Sequence, residues 1–417
     1  MQEQLMEFFK KTGKDEFDLF KGIYEQDKEK FAVIKISGAT LEKNEDEIAM
    51  DIAFLNKMAI FPIVIHGAGS KLDNVLPNSI KINGSRVTKK EDIPIIEGVF
   101  DGIASSLVNK IGLNGGKAVI IKEIFSCEKI ASFGEVGKII NLNKLSIIDA
   151  INSGKTPIIS PIGLSIKGEK LNINADSAAK EVTKVIQPKK YILLTETGGI
   201  LDNNEEIIPF INLSNKEALS GISGGMLLKA KEAKDFLIAN KETEVVITSS
   251  KNLLPEIFTV KGKGTMLKYI ELKSTKTYNE VGIKKIKSLL NDSFGKELKK
   301  TFFDEKPIEL ILEKELGGLA IIKKVGGFNY LDKFVVKKEF WGKAIGKSIW
   351  SEVCQKYTSF VWRANPINPI NCFYQKNCDG FTKTDKWIVY WKGINNNKIL
   401  EVISAVESKE TSFEVKE

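Results

Sequence analysis

With 417 residues the chain is longer than one hydrophobic core usually supports, so two domains are expected. Its 42% hydrophobic and 28% charged residues are ordinary globular proportions, which excludes wholesale disorder, a collagen-like chain and a disulfide scaffold. The net charge of +8, from 62 basic and 54 acidic side chains, suits small anionic substrates, and solvated lysine-rich helix faces account for it without nucleic acid.

Residues 1–27 predict one or two short charged helices with apolar spots at Leu5, Phe8, Phe9, Phe17, Leu19, Phe20 and Ile23, able to dock or to join subunits. From Phe31 apolar strand runs alternate with helical stretches. They are FAVIKI, EDEIAMDIAFLNKM, FPIVIHGAG, a helix over 92–113, KAVIIK at 117–122, TPIIS at 156–160, a helix over 175–186, YILLT at 191–195, a helix over 223–239 and TEVVIT at 243–248. That alternation predicts an α/β domain over 28–268, a mainly parallel sheet covered by helices. The glycine-, lysine- and threonine-rich KGKGTMLKYIELKSTKT marks the boundary. A second, smaller domain over 269–417 then opens with a helix over 279–293 and strands near 308–313, 318–324 and 330–336. A helix over 342–357, the strand SFVWR, a polar Asn-Pro stretch at 365–371 and the strand WIVYW follow, and a polar tail begins after Ile403.

The single histidine, His66, and four cysteines with no CxxC pair leave no zinc finger and no histidine-metal cluster, so any metal is expected to arrive with a substrate. No apolar run reaches the roughly 18 residues of a membrane helix, and the charged start MQEQLMEFFKKTGKDEF is unlike a signal peptide. A soluble, cytoplasmic protein without membrane or nucleic-acid partners is the expectation.

In the first domain the first strand carries Lys35 and runs into Ser37 and Gly38, and the next ends in His66, Gly67, Ala68 and Gly69. Ligands of open α/β sheets gather at the carboxyl ends of strands, and small residues there let backbone N–H groups approach a phosphate. Asn172, Asn174 and Asp176 sit at a strand-to-helix junction where Asn174 is placed to cap, and where Asp176 is placed to hold lysine ammonium groups. Ser223-Gly224-Gly225 opens a helix whose first turn is expected to deliver Lys229, although a Walker loop is absent. His66 reads as a strand-end histidine hydrogen-bonded locally.

These segments, FAVIKISG, FPIVIHGAGSKLD, GSRVT, LNINADSAA, YILLTETGGILD and GISGGMLLK, resemble the amino-acid kinase family, and within it the acetylglutamate kinase branch. The resemblance implies an α/β/α sandwich. It also implies that Lys35 and Lys229 stabilise a transferring phosphoryl group, Asp176 organises them, and Ala68 and Gly69 supply backbone donors. Arg86, Asn172 and Asn174 would hold N-acetylglutamate, with ATP and its Mg²⁺ near Gly198 and Gly225. Ser37 and Ser70 stand where that branch usually has glycine and proline.

In the second domain the strand ending in Val336 runs into KKEFWGKAIGK, where Gly342, Ala344 and Gly346 precede or open a helix and Lys343 and Lys347 add charge, as a pyrophosphate loop requires. This resembles the coenzyme A loop of the GNAT acetyltransferases. SFVWRANPINPINCFYQKNCDGFTKTDKWIVYWKG, with DSFGKEL and YLDKFVV, resembles the acetyltransferase domain of vertebrate-like N-acetylglutamate synthases. By that resemblance Lys296, Lys333 and Arg363 bind glutamate carboxylates, Asn368 positions substrates and Tyr374 protonates the leaving thiolate of acetyl-CoA. Cys372 and Cys378 lie nearby in sequence but lack a partner histidine, and burial as small apolar groups is expected of them. Trp362, Trp387 and Trp391 are expected in the core.

Together the two resemblances point to the bifunctional N-acetylglutamate synthase/kinases of arginine biosynthesis. They imply glutamate and N-acetylglutamate as substrates, a homo-oligomer (dimer or tetramer) and arginine as feedback inhibitor. The alternative is a synthase whose first domain serves only as an arginine-sensing scaffold.

Overall fold

A computed structural model describes residues 14–414 apart from 83–84, 216, 260–261 and 342. Leu5, Phe8, Phe9 and Gly342 therefore lie outside the described residues, as does the side chain of Leu19. The chain forms two compact units that meet between Tyr269 and Ile270.

The first unit is built on an eight-stranded sheet in the order Phe210–Asn212, Thr265–Lys268, Glu244–Thr248, Lys190–Leu194, Ala32–Ile36, Ile63–His66, Thr156–Ile159, Ala118–Ile121. Every pairing is parallel except that of Glu244–Thr248 with Thr265–Lys268. The central strands are buried along their whole length, as a sheet covered on both faces demands. Side chains alternate between the faces. Ile34, Ile36 and Val64 join the core under helices Gly38–Lys57 and Ile93–Leu113. Val33, Ile63, Ile65 and Leu193 face helices Ala175–Ile186 and Gly224–Ala239 instead. Lys35 shares the parity of Val33, so strand alternation alone sends its ammonium group toward those two helices.

A small four-stranded sheet (Lys170–Asn172, Ile162–Ser165, Phe125–Lys129, Gly137–Leu142) was not legible in the sequence. Helix Lys14–Glu25 docks on this unit: the Tyr24 hydroxyl donates to the Ile257 carbonyl at 2.7 Å, and the Phe17 and Phe258 rings lie 4.6 Å apart.

The second unit is a seven-stranded mixed sheet in the order Leu272–Thr275, Glu309–Glu313, Gly318–Val325, Phe328–Val336, Phe360–Ala364, Ile388–Lys392, Gly380–Lys383. Its one parallel pair, Phe328–Val336 with Phe360–Ala364, is registered only at Tyr330 opposite Val361. Past that point the ladder between the two strands is not continued. Helix Ile345–Lys356 packs Ile345, Ile349, Trp350 and Val353 against the core containing Ile311, Ala320 and Ile322.

The boundary segment contributes a strand to each unit, Thr265–Lys268 to the first sheet and Leu272–Thr275 to the second, and one sequence expectation needs correcting. The helix expected over 279–293 is broken at Gly282, φ 97°, into Tyr278–Val281 and Ile283–Phe294. The polar tail begins within helix Ile399–Ser408, which buries Val402 and Val406, and Phe413 then bridges back to Leu298.

Candidate active sites

In the first unit the ends of Ala32–Ile36 and Ile63–His66 carry two loops packed backbone to backbone. The Gly67 amide donates to the Ile36 carbonyl at 2.9 Å, and a Cβ added at Gly38 would collide with the Ala68–Gly69 peptide. Gly69 itself needs φ of +50°, which glycine adopts without strain. Ser37 caps helix Gly38–Lys57, its hydroxyl accepting from the Thr40 amide at 3.1 Å, and the Ser70 hydroxyl donates to the Glu42 carboxylate. Both departures from glycine and proline therefore have local hydrogen-bonding partners. Ala68, the other candidate of this loop, is buried.

Asn174 caps helix Ala175–Ile186, accepting from Asp176 N at 2.8 Å and Ser177 N at 3.2 Å. This fixes Asp176 in the first turn, where its Oδ1 lies 2.8 Å from the buried Lys35 Nζ. Lys229, in the second turn of helix Gly224–Ala239, enters the same cavity with Asp176, Lys180, Tyr191, Leu193 and Glu232. Burial and then the Lys35 ammonium hold Lys229 below the ordinary lysine range, while Asp176 and Glu232 pull the other way. Lys35 and Lys229 thus converge on Asp176. The helix start beside them is open: Ser223 makes no side-chain cap bond, and Gly224 and Gly225 are exposed with no atom within 4 Å of an added Cβ. Gly198, φ 73°, turns the loop after Lys190–Leu194, its amide donating to the Thr195 hydroxyl at 3.3 Å.

Two other candidates are engaged nearby rather than with the lysines. Asn172 is buried and donates to the Thr88 hydroxyl at 3.1 Å. Arg86 is held by the Asp73 carboxylate and donates to the Leu76 carbonyl at 3.3 Å. His66 is fully buried, its Nε2 3.2 Å from Ser160 Oγ, and burial lowers its pKa to about 4, so it carries no charge in a neutral site.

In the second unit Lys333 and Arg363 rise from the two strands paired in parallel at Tyr330. Lys333 Nζ donates to the Asp332 carbonyl at 3.0 Å, to Asp332 Oδ1 at 2.8 Å and to Ser412 Oγ at 2.8 Å. Arg363 donates to the carbonyls of Val406 at 2.6 Å and Glu410 at 2.9 Å, and its guanidinium lies 4.4 Å from the Trp387 ring centre. Lys296, by contrast, is exposed after the end of helix Ile283–Phe294 and takes part in none of these contacts. Tyr374, on helix Asn371–Asn377, is buried among Trp350, Trp362, Tyr390 and Phe334, and burial raises its hydroxyl well above the usual tyrosine range. It is therefore a protonated donor at neutral pH. Asn368 accepts from the Ile370 amide at 3.3 Å and so shapes the turn that places this helix.

Trp362 is fully buried as expected, while Trp387 and Trp391 are only half-buried. Of the cysteines beside this site, Cys378 is half-buried, but Cys372 is exposed, contrary to the expectation of burial, because it falls on the outer face of helix Asn371–Asn377. Ala344 caps helix Ile345–Lys356 in the left-handed region, φ 60° and ψ 9°, and Gly346 packs against Val336 and Phe334. Lys343 lies 5.3 Å from the Phe340 ring centre, and Lys347 is half-buried in the first turn of the helix.

Sequence reasoning missed Thr88, Asp73 and the cluster around Lys333. Only Asp332, adjacent in YLDKFVV, carried a readable signal, because the others are far from their partners along the chain. Among the described residues no helix is long and apolar enough to cross a membrane, and no group of three His, Cys, Asp or Glu side chains is gathered to hold a metal ion.

Comparison with known proteins divides the chain at the same two sites. The model of the amino acid kinase family matches residues 30–249, and that of the N-acetyltransferase (NAT) of N-acetylglutamate synthase matches 272–409. An acetylglutamate kinase of Xylella fastidiosa (strain Temecula1) is 33% identical over 92% of this chain and 95% of its own length. The mitochondrial protein arg-6 of Neurospora crassa is 28% identical over 88% of this chain, which spans 45% of that protein. The same fold occurs in N-acetylglutamate synthase from Neisseria gonorrhoeae, solved with coenzyme A and N-acetylglutamate. The TM-score is 0.63 at 17% identity, covering 91% of this chain and 99% of that one.

Proposed function

The chain belongs to the amino acid kinase family and carries the N-acetyltransferase domain of N-acetylglutamate synthase, and from that membership we propose a bifunctional enzyme of arginine biosynthesis. Residues 269–417 transfer acetyl from acetyl-CoA to glutamate, and residues 28–268 phosphorylate the resulting N-acetylglutamate with ATP. The observation that carries the reading is the convergence of Lys35 and Lys229 on Asp176, in a chain whose second unit also buries Tyr374 against Phe334 and Trp362.

The kinase step brings a carboxylate against a triphosphate, so like charges must be brought together before a bond forms. Lys35 and Lys229 offset that repulsion at the equatorial oxygens, and Asp176 fixes their positions without touching phosphate. Mg²⁺ belongs to the nucleotide as substrate. The amides at Ala68 and Gly69 supply donors for phosphate oxygens, and Gly198 and Gly225 border the nucleotide. Arg86, Asn172 and Asn174 border the N-acetylglutamate end.

In the acetyl transfer the glutamate amine attacks the thioester carbonyl, the new C–N bond forms as the C–S bond breaks, Tyr374 protonates the departing sulfur, and the proton shed by the amine nitrogen restores the Tyr374 hydroxyl. Lys333 and Arg363, together with Lys296, receive the glutamate carboxylates. The helix start at Ala344, with Gly346, Lys343 and Lys347, takes the pyrophosphate of coenzyme A.

Regulation by arginine and a homo-oligomeric assembly are part of this proposal, supported by the family. The sensor-only alternative loses its motive where Ser37 and Ser70 find local hydrogen bonds. The test is Lys229→Ala: acyl-phosphate formation disappears while N-acetylglutamate still forms, whereas a mere sensor has no phosphorylation to lose.

A further inference from the structure

The last described residues close a ring of polar contacts. Lys409 Nζ lies 2.8 Å from Glu305 Oε2, which lies 3.0 Å from Lys323 Nζ. Lys323 lies 3.4 Å from Asp332 Oδ2, and Asp332 Oδ1 lies 2.8 Å from Lys333 Nζ. Lys333 returns to the tail through Ser412 Oγ at 2.8 Å. The backbone secures the same segment: Lys299 N donates to the Ser412 carbonyl at 3.0 Å, Glu414 N to the Glu297 carbonyl at 2.8 Å, and the Phe413 and Phe294 rings lie 5.0 Å apart.

Two features of this ring matter for the acceptor site. First, an ammonium group has three N–H bonds, and those of Lys333 are all taken, by the two Asp332 oxygens and by Ser412. A carboxylate can reach Lys333 only by replacing one of them, and the neutral hydroxyl is the weakest acceptor of the three. Second, the cations Lys323, Lys333, Arg363 and Lys409 face only the carboxylates Glu305 and Asp332 within this cluster. The tail offers Lys333 and Arg363 uncharged oxygens, which occupy their donors without cancelling their charge. Such a pocket favours an anion that displaces the tail.

We propose that the segment 409–414 is a strap seated in the acyl-acceptor pocket, and that Ser412 Oγ stands where a carboxylate oxygen of the acceptor binds. The strap competes with glutamate for Lys333 and so sets the acceptor affinity. This rests on the reading of Lys333 and Arg363 as glutamate ligands.

The test is steady-state kinetics of the full chain with glutamate and acetyl-CoA. Ser412→Ala frees one N–H of Lys333 and lowers the glutamate KM about tenfold, the size of a hydrogen bond to a charged group. Ser412→Asp supplies an internal carboxylate and raises the glutamate KM at least as much, while Ser412→Thr keeps the unmodified value. The acetyl-CoA KM and kcat stay unchanged in all three, which separates the strap from a general packing role. An unchanged glutamate KM in both the Ala and Asp variants, or a raised one in Ser412→Ala, overturns the strap and leaves the synthase reading standing. Failure of the unmodified chain to acetylate glutamate overturns both.

Discussion

Lys35 Nζ and Asp176 Oδ1 meet at 2.8 Å, one from the middle of the sheet and the other from the first turn of a covering helix. The contact follows from strand parity and from the Asn174 cap, so the carboxylate is fixed before any substrate arrives. Asp176→Asn keeps the size but removes the charge that balances two lysines. The kinase kcat is expected to fall about a hundredfold, as when one preorganised electrostatic group is lost, with the rate of acetyl transfer as internal control.

His66 makes the fold acid-sensitive. Its folded pKa is about 4 against an ordinary 6.5, so below pH 6.5 the unfolded chain binds a proton that the folded chain refuses. Its contribution to stability is therefore complete above about pH 6.5 and declines as pH falls toward 4. The unfolding free energy of the unmodified chain relative to His66→Gln is expected to fall by about 2 kcal/mol between pH 7 and pH 5, read from urea unfolding of both.

Ala344 adopts φ 60° at the start of helix Ile345–Lys356, a backbone conformation that costs residues bearing a Cβ roughly 1–2 kcal/mol. Glycine relieves that cost and gives part of it back as unfolded-chain entropy. Ala344→Gly is expected to stabilise the second unit by about 1 kcal/mol, read as a rise in the urea midpoint at unchanged slope.

Tyr374 keeps its proton across the neutral range because burial disfavours the phenolate. Tyr374→Phe removes the acid and leaves the aromatic packing. The kcat of acetyl transfer is expected to drop at least about a hundredfold with little change in glutamate KM. A proportionate rise in KM instead places the hydroxyl in binding.

The main elements were readable because their signals are local. Lys35, Asn174 and Lys229 could be placed from alternation, a cap and a glycine-rich helix start. Gly38 and Gly69 could be recognised as turn glycines, but not as touching each other. The small second sheet escaped notice because its strands are short and only partly buried. The tail escaped because its polar composition matches a solvated end, whereas its partners Lys333 and Arg363 come from distant strands. Arg86 shows the same limit, since nothing near it in sequence marks Asp73 as its counter-ion.

The most direct measurement incubates the chain with glutamate and acetyl-CoA, with and without Mg-ATP, and identifies the products by mass. The account predicts N-acetylglutamate in both mixtures and its acyl phosphate only with ATP, the phosphate vanishing in Lys229→Ala. Recovery of unmodified glutamate from both mixtures, or acyl phosphate formed undiminished by Lys229→Ala, contradicts it.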